Sequence, residues 1–141
     1  MARGQTIGLN IQLPLEQEVN QYVSRELVFN FHYFFMRKFW FVYPAKALVV
    51  FPGGFGTFDE LFEILTLRQT SKMPEIPIAL VDRGYWASVV NFNKLLEHGM
   101  IGERDLSLFS IVETPDEIWN TISASGLKVH VKWTRNSAVQ L

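Results

Sequence analysis

The sequence predicts an α/β fold with a mainly parallel sheet that helices cover on both faces. Short runs of consecutive apolar residues alternate along the chain with stretches of helical periodicity. Such runs are typical of strands buried on both faces, and their alternation with helices indicates βαβ units. The chain has 141 residues, of which 48% are hydrophobic and 19% charged. We therefore expect a single domain over residues 1–141 with a core of its own.

The N-terminal part is predicted to run from a strand through a loop into an aromatic helix. Residues 6–13 (TIGLNIQL) are typical of a strand, and the polar residues 16–25 of a loop. Residues 29–43 (FNFHYFFMRKFWFVY) predict a helix that is apolar nearly all round and ends at Pro44. The stretch is shorter than a membrane span of roughly 20 residues, and two cations interrupt it. A buried or interface helix is therefore expected.

A buried strand, a glycine-rich turn and a second helix follow. Residues 47–51 (ALVVF) predict the strand, and the PGGFGT turn of residues 52–57 ends it. Apolar side chains at i, i+3, i+4 and i+7 predict a helix over residues 58–68. Glycines allow close approach of a ligand, and free N–H groups at a helix start favour phosphate. Because G-x-G-x-x-G and the P-loop lysine are absent, a phosphate site and a plain turn are equally open.

The remaining elements complete the alternation of strands and helices. They are a buried strand over residues 76–81, a helix over 85–98 ended by a glycine, a strand over 108–112 and a helix opening at 114–117. Thr114 is the predicted N-cap of that last helix. Residues 124–141 form a weakly patterned tail, in which residues 127–133 (LKVHVKW) alternate as in an edge strand.

The composition excludes several classes of function. Thirteen Lys and Arg against 14 Asp and Glu give a net charge of -1, which disfavours nucleic-acid binding. The absence of cysteine excludes disulfides and thiolate metal sites, and the histidines lack metal-ligand spacing, so no metal is expected. Residues 1–10 lack the cationic start and apolar stretch of a signal peptide. We expect a cytoplasmic protein without nucleic-acid or membrane partners.

Two charged residues are catalytic candidates, and each has a structural alternative. Arg37 lies in the aromatic helix, where a guanidinium either clamps a substrate anion or forms a structural ion pair. Its neighbour Lys38 is about 100° further round the helix and points elsewhere. Glu60 follows Thr57 at capping-box spacing, as Glu117 follows the last helix's cap, so capping alone explains it. The alternative is that Glu60 faces a reacting carbon from the first helical turn.

The segment MRK at residues 36–38 and the motif PGGFGTFDE at residues 52–60 resemble the LOG (Lonely Guy) family of nucleotide 5′-monophosphate phosphoribohydrolases. The chain matches every fixed position of the family's P-G-G-x-G-T-x-x-E hallmark, and the resemblance extends over residues 5–120. It implies a Rossmann-like three-layer sandwich and a homodimer or larger assembly with active sites near the subunit interface. It implies neither metal nor cofactor. Such proteins have also been described as "possible lysine decarboxylase", yet the sequence shows no pyridoxal-phosphate site.

The resemblance also implies roles for individual residues. Arg37 and Glu60 match the family's catalytic pair, which reverses the preference for capping at Glu60. The substrate-binding candidates are Gly53, Gly54, Gly56 and Thr57 in the phosphate-binding turn, together with Lys38. The implied reaction is hydrolysis of the N-glycosidic bond of a cytokinin ribotide, AMP or a similar nucleotide, releasing free base and ribose 5-phosphate. Such cleavage passes through an oxocarbenium-like state that a carboxylate stabilises.

One part of the family pattern is missing from this sequence. Family members have an earlier βαβ region, with its own glycine-rich turn, ahead of the segment that here forms residues 2–14. Its strands lie between those predicted at residues 6–13 and 47–51, so a sheet edge is left unpaired. The domain is therefore N-terminally truncated, its edge is covered by a partner, or the two flanking strands pair directly. The matching functional alternative is a catalytically impaired nucleotide-binding remnant or an oligomerisation module.

Overall fold

The computed structural model describes residues 4–12 and 20–126, and parallel strands alternate with helices along them. The strands are β1 (Gly8–Ile11), β2 (Val28–Phe31), β3 (Leu48–Val50), β4 (Ile78–Val81) and β5 (Ser110–Val112). The helices are α1 (Phe34–Val42), α2 (Phe55–Gln69), α3 (Arg83–Val89), α4 (Phe92–Glu97) and α5 (Pro115–Ala124). Short 3₁₀ turns lie at Arg25–Leu27 and Glu103–Leu108. The predicted α/β class is confirmed.

The strands form two parallel sheets rather than one. β1 pairs with β2, and the other sheet has the order β3–β4–β5. β4 is buried along its whole length, as the central strand of a parallel sheet requires. Direct pairing of residues 6–13 with residues 47–51 is therefore wrong, because β1 takes β2 as its partner. Among the described residues, the outer edge of β3 has no neighbouring strand.

The aromatic segment is not the single helix that its composition predicts. Residues 28–31 form β2, and the helix begins only at Phe34. Short apolar runs fit either structure, and the bulky side chains of β2 suit a strand once β1 supplies a hydrogen-bonding partner. None of the side chains of α1 is fully buried, so a helix buried within this chain is also wrong. Phe35 and Tyr43 are 65% and 73% exposed.

The second predicted helix, α2, begins three residues earlier than its apolar periodicity indicates. Its N-cap is Gly54, whose carbonyl accepts from the N–H groups of Thr57 and Phe58. Thr57 therefore lies inside the first turn and not at the cap. Leu61 and Ile64 are fully buried, and they pack with the side chains of β3 and β4 in the main core cluster. This packing fixes the rotation of α2 and so fixes the direction of its other faces.

The region predicted as one helix over residues 85–98 consists of two. α3 ends before Val90, and Asn91 caps α4 by accepting from the N–H of Lys94 at 3.0 Å. Asn favours such local bonds over continued helix, which explains the break. Gly99 follows α4 with a φ of 69°, the conformation that a C-terminal glycine supplies, as predicted.

The last helix begins as the sequence predicts. The Thr114 hydroxyl accepts from the N–H of Glu117 at 3.2 Å and caps α5. The edge strand predicted at residues 127–133 lies outside the described residues. Along the parts of the chain that the structure describes, no helix is both long and apolar enough to cross a membrane.

Candidate active site

Arg37 of α1 and Glu60 of α2 meet in the gap between the two helices. Arg37 Nη2 donates to Glu60 Oε1 at 3.0 Å, and the side chains are 26% and 16% exposed. The guanidinium also lies over the ring of Phe34, 5.9 Å from its centroid, within reach of a cation–π contact. Capping by Glu60 is therefore wrong: Gly54 is the cap, and the carboxylate faces Arg37.

Part of the hydrogen-bonding capacity of this pair is unused. Arg37 Nε and Glu60 Oε2 are both buried, and neither has a hydrogen-bond partner among the residues that the structure covers. Leaving a buried polar group unpaired costs about 1–3 kcal/mol. Native structures rarely carry such atoms without a ligand or an ordered water beside them. The pair is therefore able to accept a polar ligand without breaking its own bond.

The Glu60 carboxyl has an environment that favours its protonated form. Burial raises the pKa of Glu60 above the usual value for a glutamate, and Glu63 and Asp59 raise it further. The positive charges of Arg37 and Lys38 oppose this rise. A carboxyl whose pKa is shifted towards neutral pH is suited to exchange a proton during a reaction.

Lys38 lies beside the pair but is bound to other carboxylates. Its Nζ is 2.6 Å from Asp59 Oδ2 and 3.2 Å from Glu63 Oε2. The hydrogen bond to Asp59 is the main reason why the pKa of Lys38 is raised. Schiff-base lysines need the opposite, a lowered pKa that yields the neutral amine. The lysine at this site therefore does not fit pyridoxal-phosphate chemistry.

The glycine turn lies next to the pair, between β3 and α2. A Cβ on Gly53 would overlap the Thr57 hydroxyl, whereas the Cβ positions of Gly54 and Gly56 face open space. Gly53 is thus required by packing inside the turn, and the other two glycines leave room above it. The first N–H groups of α2 have no acceptor within the helix and carry the positive end of its dipole. Together these features are those that favour an anion at a helix N-terminus.

Tyr85 holds the turn from the opposite side, and sequence reasoning missed it. Its hydroxyl donates to the carbonyl oxygen of Gly53, and its own N–H donates to Asp82 Oδ1 at 2.8 Å. No motif marks this tyrosine. Its position just after β4 could have indicated its role. Residues that follow the carboxyl ends of neighbouring parallel strands lie at the same edge of the sheet, so Tyr85 comes close to the turn that follows β3.

Two cavities meet at the Arg37–Glu60 pair, which lines both. One has a volume of about 670 Å³ and is mainly apolar, with Phe31 and Trp40 among its lining residues. The other has a volume of about 460 Å³ and follows β3 to the glycine turn at Thr57. The pair therefore borders both an apolar cavity and a cleft that reaches the first turn of α2.

Comparison with known proteins identifies the family. Residues 1–122 match the family described as "Possible lysine decarboxylase", and this match covers most of the chain. The chain belongs to this family. Its curated relatives carry LOG names, so the LOG membership that the sequence motifs predict is confirmed.

Two curated relatives from Arabidopsis thaliana are named as cytokinin riboside 5'-monophosphate phosphoribohydrolases. LOG1 is 36% identical over 59 residues, which are 40% of this chain and 27% of LOG1. LOG4 is 30% identical over 76 residues, which are 52% of this chain and 35% of LOG4. The matched part of the chain thus spans between about a quarter and about a third of the length of these relatives.

The structure brings together most of the residues that the LOG resemblance singles out. Arg37 and Glu60 are in contact, and Gly56 and Thr57 of the turn line the adjoining cleft. Lys38 is directed to Asp59 and Glu63 instead. Within residues 4–12 and 20–126, no group of three or more His, Asp or Glu is placed to hold a metal ion. The catalytic and binding roles of these residues stay predictions.

The first testable prediction concerns the charge state of Glu60. Arg37→Gln is expected to raise the pKa of Glu60 further, because the guanidinium is the stronger of the two cationic influences that lower it. The carboxyl then keeps its proton to a higher pH. A carbon-13 NMR titration measures this, and Glu60→Gln identifies the resonance by its loss. Arg83→Gln removes an exposed pair with Glu117 and serves as the control. An unchanged Glu60 pKa in Arg37→Gln would contradict the pairing.

The second prediction concerns the two glycines that frame Thr57. Gly53→Ala is expected to destabilise the fold by about 1–3 kcal/mol, because the new methyl group overlaps the Thr57 side chain. Gly56→Ala adds the same methyl group in open space within α2 and is expected to stabilise by about 0.5–1 kcal/mol. Urea unfolding of both variants measures the difference, and each is the control for the other. Equal effects would show that the turn is not packed as described.

Proposed function

We propose that this chain hydrolyses the N-glycosidic bond of a nucleoside 5′-monophosphate, releasing the free base and ribose 5-phosphate. The observation that carries the proposal is the place of the Arg37–Glu60 pair, between an apolar cavity and an anion site. A nucleotide has the same order of parts: base, ribose and phosphate. The bond between base and ribose would then lie at the pair. The names of the curated LOG relatives support the same reaction class.

The phosphate would bind at the start of α2. The N–H groups of Phe55 and Gly56 lie in the first turn, where the helix supplies no acceptor, and Thr57 adds a hydroxyl. Backbone donors and the helix dipole hold a phosphate without any basic side chain. Tyr85 would keep Gly53, and with it the turn, in the required position. Binding energy from the phosphate would orient the ribose towards Glu60.

Glu60 and Arg37 would carry out the bond cleavage. As the bond between C1′ and the base nitrogen breaks, positive charge develops on the ribose ring, and the ionised Glu60 stabilises it. Water then adds to C1′: its hydroxyl stays on the ribose and its proton ends on the base. Glu60 is placed to orient this water and relay the proton. Arg37 keeps the carboxylate ionised and, through its unpaired Nε, holds an oxygen of the substrate.

The base would occupy the apolar cavity. Its volume of about 670 Å³ lies within the range usual for small-molecule sites. Aromatic side chains such as Phe31 and Trp40 offer faces and edges for stacking with a planar base. Adenine and an N6-substituted adenine of the cytokinin type both fit this chemistry, so both belong in the assay.

A second candidate function is nucleotide binding without turnover. The observation that favours it is the division of the strands into two sheets, with one edge of β3 bare in the described part of the molecule. β3 also lines the cleft at the Arg37–Glu60 pair, and water entry beside its bare edge would weaken electrostatic control of the reacting atoms. The anion site at α2 does not depend on that edge and would still bind phosphate.

We further propose that the chain forms a homodimer or larger homo-oligomer through α1. The exposed side chains of this helix are almost all aromatic, and Phe35, Phe39 and Tyr43 lie at i, i+4 and i+8 on one face. A contiguous exposed apolar surface of this kind marks an interaction site. Since Arg37 belongs to the same helix, association through α1 would place the active site close to the subunit interface.

The third prediction tests the reaction itself. The chain is expected to release adenine from AMP, or the free cytokinin from a cytokinin riboside monophosphate, together with ribose 5-phosphate. Glu60→Gln is expected to lower kcat by about 100-fold or more, because the isosteric amide cannot stabilise positive charge or accept a proton. Liquid chromatography of the base measures turnover. Glu103→Gln, at an exposed glutamate far along the chain, is the matched control and should keep full activity.

The outcomes of this assay separate the two candidate functions. Turnover that is lost in Glu60→Gln supports hydrolysis, and turnover at the wild-type rate in that variant removes Glu60 from the mechanism. Calorimetric binding of AMP without release of base would select the nucleotide-binding alternative. Absence of both binding and turnover would contradict both candidates.

The fourth prediction concerns assembly. Sedimentation equilibrium is expected to show a dimer or larger species for the wild type and a monomer for Phe39→Asp, because a buried carboxylate has no partner in an aromatic interface. Trp119→Asp places the same charge on another exposed aromatic position, in α5, and should not change the mass. A wild type that stays monomeric at all concentrations would rule out the assembly.

A further inference from the structure

Lys38 and its partners form a second link between α1 and α2, directly beside the catalytic pair. Arg37 and Lys38 are consecutive in α1, and both reach α2: Arg37 contacts Glu60, while Lys38 contacts Asp59 and Glu63. Asp59 and Glu63 are one helical turn apart, so a single ammonium group bridges them. The Arg37–Glu60 pair and the Lys38 bridge are therefore neighbours, and sliding or rotation of either helix would strain both of them.

We propose that Lys38 is a positioning residue of this site: by bridging Asp59 and Glu63 it holds α1 in the register that places Arg37 against Glu60. This inference rests on the proposed hydrolytic function. It differs from direct substrate binding by Lys38, the role that sequence resemblance implies.

The packing of α1 shows why such a link matters. Among the described residues, none of its side chains is fully buried, and its contact with the main core is made by the partly buried Val42 near its C-terminal end. The ion pairs with α2 add a constraint at the middle of the helix, where the catalytic arginine lies. Because Asp59 is largely exposed, these pairs add little to global stability. Their effect is expected on local geometry, not on the unfolding midpoint.

The charge balance at the site supports the same role. Three carboxylates, from Asp59, Glu60 and Glu63, face two cations, from Arg37 and Lys38. These are the charged groups that α1 and α2 direct at the Glu60 carboxyl, and each of the other four influences its pKa. Without Lys38, α1 would set one cation, Arg37, against three carboxylates of α2. Asp59 and Glu63 would then lose the ammonium that ties them to α1, and the Arg37–Glu60 contact would be the single ion pair left between the two helices among the described residues.

The test uses two variants that break the bridge from opposite sides. Lys38→Gln removes the ammonium, and the double variant Asp59→Asn with Glu63→Gln removes its anchors while Lys38 stays. Both are expected to lower the plateau kcat for AMP at least about tenfold with KM nearly unchanged, because a misplaced Arg37 impairs the chemical step. Lys38→Arg is expected to restore most of the activity. Lys94→Gln breaks an unrelated exposed ion pair in α4 and is the control.

The pH profiles separate positioning from direct electrostatics. Lys38 and Arg37 lower the pKa of Glu60, whereas Asp59 and Glu63 raise it. In Lys38→Gln, loss of the ammonium and loss of the Arg37 contact both raise this pKa, so the acid limb of kcat should shift to higher pH. In the double variant, loss of the Arg37 contact opposes the effect of removing the two carboxylates. A merely electrostatic role would move the two acid limbs in opposite directions without any loss of plateau kcat. A raised KM in Lys38→Gln alone would show direct substrate contact. Either result would overturn the proposal.

A readout without turnover separates this inference from the proposed function. If the wild type hydrolyses no nucleoside monophosphate, the proposed function fails. The Lys38 bridge is then judged by NMR of the Arg37 guanidinium group. Loss of a fixed Arg37–Glu60 contact in both bridge variants supports it, and retention of the wild-type Arg37 signals in both overturns it.

Discussion

The partly buried ion pair between Arg37 and Glu60 is the contact on which the site depends. It joins α1, which follows β2 of the two-stranded sheet, to α2, which follows β3 of the three-stranded sheet. Burial makes the ionised Glu60 carboxylate costly, and the Arg37 guanidinium offsets that cost. Glu60 Oε2 and Arg37 Nε are nevertheless left without hydrogen-bond partners among the described residues. The pair is thus stable enough to persist and incomplete enough to take a ligand. A fully satisfied pair would be a structural bridge only.

The geometry of α2 explains how one helix serves three purposes. Leu61 and Ile64 bury one face against the β3–β4–β5 sheet, the first turn offers its N–H groups at the glycine turn, and Glu60 projects from the side facing α1. Because the core residues fix the rotation of the helix, the carboxylate and the anion site cannot move independently. Tyr85 adds a restraint on the same turn from α3. The spacing within the PGGFGTFDE motif therefore fixes the distance between the first turn of α2 and the carboxylate.

The sequence predicts the elements that local rules determine and misses those that depend on tertiary contacts. The buried strands β3 and β4 and the cap of α5 follow from apolar runs and from Thr114 itself. The start of α2 differs from the prediction, because T-x-x-E spacing is the same at a helix cap and inside a first turn. The structure places Gly54, and not Thr57, at the cap. Residues 28–31 become a strand because β1 is present to pair with them. The contact between Arg37 and Glu60 could not be predicted from local sequence rules, because the two residues are 23 positions apart in the chain and are brought together by the fold.

The division into two sheets bears directly on how the site is held. In a continuous parallel sheet, backbone hydrogen bonds would fix α1 and α2 relative to each other through the strands between them. Here the described strands form two sheets with no hydrogen bonds between them, so the described residues contain no such backbone link between α1 and α2. Side-chain contacts across the helices must then carry the alignment. A single ion pair in an exposed position contributes little. Arg37 and Lys38, which are adjacent in α1 and bind neighbouring residues of α2, therefore align the two helices better than one cation would.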